Sequence, residues 1–186
     1  ELFITSKLHI NDLYFRGYHS RFNIKIKTIR KAFEGSLRRL GTDYLNLYLI
    51  HWPFVGYEKM WEELVKLQES GHIKAIGVSS FLIPHLEKIK EMTGIVPAVN
   101  QFEINPFNTQ KPLIKYCQNN GIHVEAYATF GTTRQNESAS QDILSHENVL
   151  RLSQFHGKTP SQIILRWAVQ QCVSVIPRSK STNHLK

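Results

Sequence analysis

Short apolar runs and longer amphipathic stretches alternate along this chain. The segments 2-LFITS-6, 44-YLNLYLIH-51, 73-IKAIGVS-79, 96-VPAVNQ-101, 122-IHVEAYA-128 and 173-VSVIP-177 are short, apolar and rich in β-branched and aromatic residues, which predicts six strands. Between them, apolar residues recur at three- and four-residue steps. That spacing predicts helices near 26–40, 57–70, 83–92 and 110–119, with two more after a long loop that follows residue 128. Met60, Trp61, Leu64 and Val65 form the expected inner stripe of the second helix. The last of these helices opens with Thr159-Pro160-Ser161-Gln162, a capping box with proline at the first helical position. The final stretch, 178-RSKSTNHLK-186, has the Ser, Thr and Asn content of another helix start.

Strands that alternate with helices predict an α/β fold with a parallel sheet buried on both faces. An open doubly wound sheet and a (β/α)₈ TIM barrel both satisfy that pattern. No Gly-x-Gly occurs, so the dinucleotide fingerprint of the open sheet is missing. Polar residues gather instead at the C-terminal ends of the strands: Lys7, His51, Ser79, Ser80, Asn100, Gln101, Tyr127 and Arg178. Barrel enzymes assemble their sites at that end from several strands. A barrel needs eight strands, and six leave unpaired edges. The expectation is six of the eight βα units of one incomplete barrel domain spanning residues 1–186, with two units before Glu1 and the C-terminal end outside the sequence. The start at 1-ELFITSKL, already within a strand-like run and without Met, points the same way.

Composition narrows the class only modestly. The chain has 186 residues, 41% of them hydrophobic, enough for a real core. No window approaches the length of apolar sequence that spans a membrane, and no signal peptide is recognisable, so a cytoplasmic location is expected. Cys117 and Cys172 lack metal-ligand or CxxC spacing and read as buried reduced thiols. His123, His146 and His156 share no ligand spacing and read as structural, and no metal site is expected. The net charge is +8, and residues 16–39 hold eight basic side chains against Glu34 alone. Within that block Ile26, Ile29, Phe33, Leu37 and Leu40 keep helical spacing, so the charges read as the wet face of a helix rather than a nucleic-acid site.

Six stretches, in this order, carry a resemblance: 3-FITSKL-8, 39-RLGTDYLNLYLIHWP-53, 71-GHIKAIGVSSF-81, 99-VNQFEINP-106, 123-HVEAYATFG-131 and 173-VSVIPRS-179. Together they resemble the aldo-keto reductases, in particular the bacterial-type branch with diketogluconate-reductase-like enzymes. The resemblance implies a monomeric (β/α)₈ enzyme that reduces small aldehydes and ketones with NADPH. Carbonyl reduction needs a hydride at carbon and a proton at oxygen. In this family a tyrosine donates the proton, and an ammonium beside a phenol favours its ionised form. Lys7 matches that lysine and His51 the histidine that orients the substrate carbonyl, while Trp52 would wall the substrate pocket.

The cofactor positions also match. Tyr127 corresponds to the aromatic that stacks on the nicotinamide and Gln101 to the amide that meets its carboxamide. Ser79 and Ser80 stand where Ser-Asn is usual, so the shorter Ser80 weakens one carboxamide contact. Arg178 and Ser179 match the grip on the adenosine 2′-phosphate, at a loop expected to meet a helix N-terminus. His184 falls where an arginine commonly completes that grip, and histidine lacks both the permanent charge and the guanidinium fork. The implied preference is NADPH with some NADH use. The tyrosine and its aspartate partner match no residue here, and residues 9–24, with Tyr14 and Tyr18, read as a rim element. Residues 1–186 alone are therefore expected to be inactive. Two other readings remain open at this point: a catalytically inactive aldo-keto-reductase-like protein that binds nucleotide, and, more distantly, nucleic-acid binding through residues 16–39.

Overall fold

The computed structural model describes residues 2–9, 13, 26–131 and 143–184. Its elements follow the alternation of the sequence. They are β1 (Thr5–Leu8), α1 (Ile26–Leu40), β2 (Leu45–Ile50), α2 (Tyr57–Glu69), β3 (Ile73–Ser79), α3 (Ile83–Thr93), β4 (Val99–Glu103), α4 (Lys111–Asn119), β5 (His123–Tyr127), α5 (Glu147–His156), α6 (Pro160–Val169) and β6 (Val173–Val175), followed by a 3₁₀ turn at Thr182–His184. The strands hydrogen-bond in sequence order, β1 through β6. The described residues fall into two compact units, one within 1–100 and 116–123, the other within 101–115 and 124–186. β4 begins in the first and ends in the second.

The first unit is built on β2 and β3. Leu45, Leu47, Tyr48, Leu49 and Ile50 are all buried, as are Ile73, Ile76 and Val78 of the neighbouring strand. Side chains alternate across a strand, so a run buried throughout must be covered on both faces. The helices around it contribute Ile29 and Phe33 of α1, Met60, Trp61, Leu64 and Leu67 of α2, and Leu86 and Ile89 of α3. Each such side chain contributes about 1.5–3 kcal/mol when removed from water. Two polar links add direction: Trp61 Nε1 donates to Thr93 Oγ1 at 3.1 Å, and Asn46 Oδ1 accepts from the Ile4 N–H at 2.8 Å. In α1 the charged face is wet, with Arg30, Lys31, Arg38 and Arg39 exposed. The parallel register pairs Lys7 with Leu49 and Leu49 with Gly77. A Cβ on Gly77 would lie 2.6 Å from the Val99 carbonyl oxygen and 2.7 Å from Leu49 Cδ2, so glycine lets β4 approach β3 here.

In the second unit β5 pairs in parallel with β6, Val124 opposite Val173 and Ala126 opposite Val175. A small apolar cluster of Ile143, Val149 and Ile164, with Phe130 and Leu144 against it, supports this side. The capping box of α6 forms as expected: Thr159 Oγ1 accepts from the Gln162 N–H at 3.3 Å, and Gln162 Oε1 accepts from the Thr159 N–H at 3.0 Å.

Several expectations shift. β1 starts at Thr5, where the preceding Ile4 N–H bonds to the Asn46 side chain rather than a ladder partner, and Leu2 and Phe3 are exposed. β4 runs later than 96–101: Pro97 has no N–H, and the first bond to β3 is from Ala98 N to Ile76 O at 2.9 Å. In α2 the inner stripe takes Leu67 and Glu63 rather than Val65. Cys117 is buried as expected, but Cys172 is exposed, in a turn where its φ is 57°. The rim segment 9–24 and the loop after 130 lie largely outside the described residues. Among the described residues no helix is long and apolar enough to cross a membrane.

Candidate active site

In the first unit the strand ends bring a set of polar side chains to one face. Lys7 is half-buried on β1, level with Leu49 and Gly77. One alternation further along lie His9, His51 and Ser79. The His51 N–H donates to Leu8 O at 3.0 Å, so the pairing of β1 and β2 persists to this point. Because side chains alternate, Lys7 and His9 share a face with His51 and Ser79. The imidazoles of His9 and His51 meet edge to face, with centroids 4.9 Å apart. Trp52 follows in a tight turn, its carbonyl accepting from Phe54 N at 2.8 Å, and its side chain is 47% exposed.

At the end of β3 Ser79 is buried, and Ser80 adopts the left-handed conformation with φ 59°. Phe81 is fully buried, its ring edge-on to Tyr57 at 5.2 Å and to His85 at 5.7 Å. The Phe81 carbonyl accepts from Asn100 Nδ2 at 2.9 Å, and the same nitrogen lies 3.8 Å from Cys117 Sγ. Asn100 Oδ1 is buried without a hydrogen-bond partner. Burial pushes the Cys117 thiol up to about 11, with the contact from Asn100 acting weakly in the other direction.

The second unit carries the remaining positions. Gln101 is buried and its Nε2 donates to the Glu125 carboxylate. Tyr127 stands two residues beyond Glu125, on the same face of β5, and its carbonyl accepts from Ile104 N at 3.4 Å. Glu103, next but one to Gln101, is held above the ordinary carboxylate range by burial, partly offset by the Asn105 amide, which donates to it at 3.0 Å. Arg178 is exposed. The Ser179 hydroxyl accepts from Ser181 N at 3.0 Å in a local turn. Within the described residues, the stretch expected to start a helix over 178–186 holds a 3₁₀ turn at Thr182–His184. The side chain of His184 lies outside the described residues.

The structure thus groups Lys7, His51, Trp52, Ser79 and Ser80 in one unit and Gln101, Tyr127, Arg178 and Ser179 in the other. Two side chains that organise these positions went unassigned in the sequence, although signals for both were there. Glu125 is a charged residue in the middle of an otherwise apolar strand, two residues before Tyr127. Asn100 is an amide beside Gln101 on a strand that buries both. Among the described residues no cluster of three or more His, Cys, Asp and Glu side chains could hold a metal ion.

A parallel α/β fold with its polar residues at the C-terminal strand ends defines a class of barrel-type enzymes. The sequence pattern of the Aldo/keto reductase family matches residues 1–186 throughout, and the chain belongs to that family. It is 42% identical over 187 residues to the uncharacterized oxidoreductase YtbE of Bacillus subtilis, covering 100% of this chain and 60% of that protein. It is also 42% identical over 180 residues to the glyoxal reductase of the same organism, covering 96% and 58% respectively. A Bombyx mori aldo-keto reductase solved with NADP superposes with a TM-score of 0.84 at 30% identity, over 99% of this chain and 60% of that one. The chain thus spans about 60% of the length of the curated relatives it matches. Its order of elements is that of six consecutive βα units of such (β/α)₈ barrels.

Proposed function

We propose that this chain carries part of the active site of an NADPH-dependent oxidoreductase that reduces small aldehydes and ketones to alcohols. The observation that carries the reading is the shared face of Lys7, His51 and Ser79 at the ends of three consecutive parallel strands. Relatives named glyoxal reductase and methylglyoxal reductase support the substrate class, and related structures solved with NADPH or NADP support the cofactor.

The residues present suit a nicotinamide carboxamide, which needs both donors and acceptors. Ser79 brings a buried hydroxyl, and Gln101 brings a buried amide whose Nε2 donates to Glu125. Ser80 and Tyr127 complete the proposed contacts to the nicotinamide, while Arg178, Ser179 and His184 meet the 2′-phosphate. When bound, the reduced nicotinamide supplies the hydride. His51 donates a hydrogen bond to the substrate oxygen as negative charge grows there, and Trp52 covers the substrate. Lys7 favours ionisation of a phenol that belongs to none of the residues 1–186. The protein is proposed to work as a cytoplasmic monomer within a single barrel domain, with small carbonyl compounds as its partners.

The test is NADPH oxidation by the full-length protein with a panel of small aldehydes. Turnover supports the reading. No turnover, combined with quenching of tryptophan fluorescence by NADPH, sinks it in favour of a nucleotide-binding protein without catalysis. Because Arg178 acts by its own exposed charge and His184 replaces a guanidinium, NADH use is expected too. An efficiency ratio of NADPH to NADH above about a thousandfold, about 4 kcal/mol, counts against that.

A further inference from the structure

We propose that Asn100 is a positioning residue for the nicotinamide-binding turn: by holding the Phe81 carbonyl it keeps Ser80 in the left-handed conformation that presents Ser79 and Ser80 to the carboxamide. This rests on the reductase reading above. A serine at φ 59° is strained, and such a conformation persists only where its surroundings over-determine it. Three contacts do so here, all just after Ser80. The Phe81 ring is locked between Tyr57 and His85, His85 Nδ1 accepts from the Leu82 N–H at 3.1 Å, and Asn100 Nδ2 donates to Phe81 O at 2.9 Å. The first two hold side chain and helix start, while the third holds the carbonyl of Phe81, the residue next to Ser80.

Asn100 works from behind the site. Its contacts are Phe81 O and Cys117 of α4, so it faces the helix layer, and alternation turns Gln101 to the opposite side of β4. Its Oδ1 is fully buried and unpartnered. An aliphatic residue of similar size would avoid that desolvated oxygen but would leave the buried Phe81 carbonyl without a donor. The Nδ2 donor is therefore what the position uses. A serine at 80 depends on this clamp more than an asparagine would, because asparagine tolerates the left-handed region better.

The experiment uses the full-length protein with Asn100→Ala and, should that variant fail to fold, Asn100→Ser, which keeps a polar group but is too short to reach Phe81 O. Isothermal titration compares NADPH with 2′,5′-ADP, which carries the 2′-phosphate but no nicotinamide. Amide hydrogen exchange follows residues 80–82. The expected result is an NADPH Kd raised about tenfold, about 1.4 kcal/mol, a 2′,5′-ADP Kd within about twofold of the unsubstituted protein, and faster exchange at 80–82. Ser80→Asn should then recover more NADPH affinity in the Asn100→Ala background than in the unsubstituted one. Equal weakening of both ligands, or unchanged exchange at 80–82, overturns the proposal. An unsubstituted protein that binds no NADPH overturns the reductase reading and the cofactor half of this one together, while the exchange data still decide whether Asn100 holds the turn.

Discussion

The ends of β3 and β6 both carry candidate cofactor residues, and they are built in opposite ways. At β3, Ser79 is buried, Ser80 is strained, and the carbonyl of the next residue, Phe81, is tied to Asn100 of the next strand. At β6, Arg178 is exposed and, among the described residues, Ser179 bonds in a local turn with Ser181. The first end is fixed by the core and changes only if the core does. The second depends on local hydrogen bonds and on charge, which water and salt weaken. Under the proposed function, the packed ends of β1 to β3 control chemistry and nicotinamide placement, and the open end of β6 controls affinity for the phosphate.

Three substitutions probe those two ends. His51→Ala should lower kcat/KM for aldehydes by about 10²–10⁴-fold, the range for a lost acid–base or oxyanion donor, with NADPH affinity nearly unchanged. Steady-state kinetics and a titration check both halves. Gly77→Val should destabilise the protein by about 1–3 kcal/mol, because even one Cβ meets the Val99 carbonyl at 2.6 Å. Urea denaturation measures it, and an unchanged midpoint would show that β4 can retreat. Arg178→Ala should raise the NADPH Kd about tenfold, in keeping with the loss of one charged hydrogen bond, while leaving NADH binding and the melting temperature in place. The remaining difference between variant and unsubstituted protein should shrink in high salt.

The smallest effect concerns Cys117. Its thiol is pushed from 9.0 to about 11 by burial, so the folded state keeps a proton that the unfolded chain loses. That contribution is fully present below pH 9 and fades as the pH rises towards 11. Urea midpoints measured across that window should fall more steeply for the unsubstituted protein than for Cys117→Ala. The exposed Cys172 should be alkylated first by iodoacetamide in the folded protein.

Much of the first unit was legible from periodicity because β2 and most of β3 are buried on both faces and its helices on one. The buried Ile29 and Phe33 of α1 and the capping box of α6 follow directly from spacing, whereas Leu40, expected on the same stripe, is exposed at the end of the helix. Legibility failed where a single residue outweighed the pattern. Pro97 delays β4 by removing a donor, and Asn46 captures the Ile4 N–H and so shortens β1 at its start. Cys172 looked apolar by its neighbours, yet it sits in a turn that turns it outward. For the site, the resemblance supplied positions and roles, but the side chains behind those positions were out of its reach. Asn100 and Glu125 act on Phe81 O and on Gln101, and such pairings across strands depend on a register that one chain read end to end does not display.

That register also sets what this architecture can tolerate. Lys7 stands level with Leu49 and Gly77 because β1, β2 and β3 are matched residue for residue. Connections of any length that bring a strand back to its place leave this match intact. A single residue added within β1 before Lys7 would instead rotate the ammonium to the helix side of the sheet and bring a neighbour into its place. Loop grafts between relatives are therefore the safe route to new substrate pockets, whereas a one-residue insertion or deletion inside a strand would unseat Lys7 without touching any residue of the pocket itself.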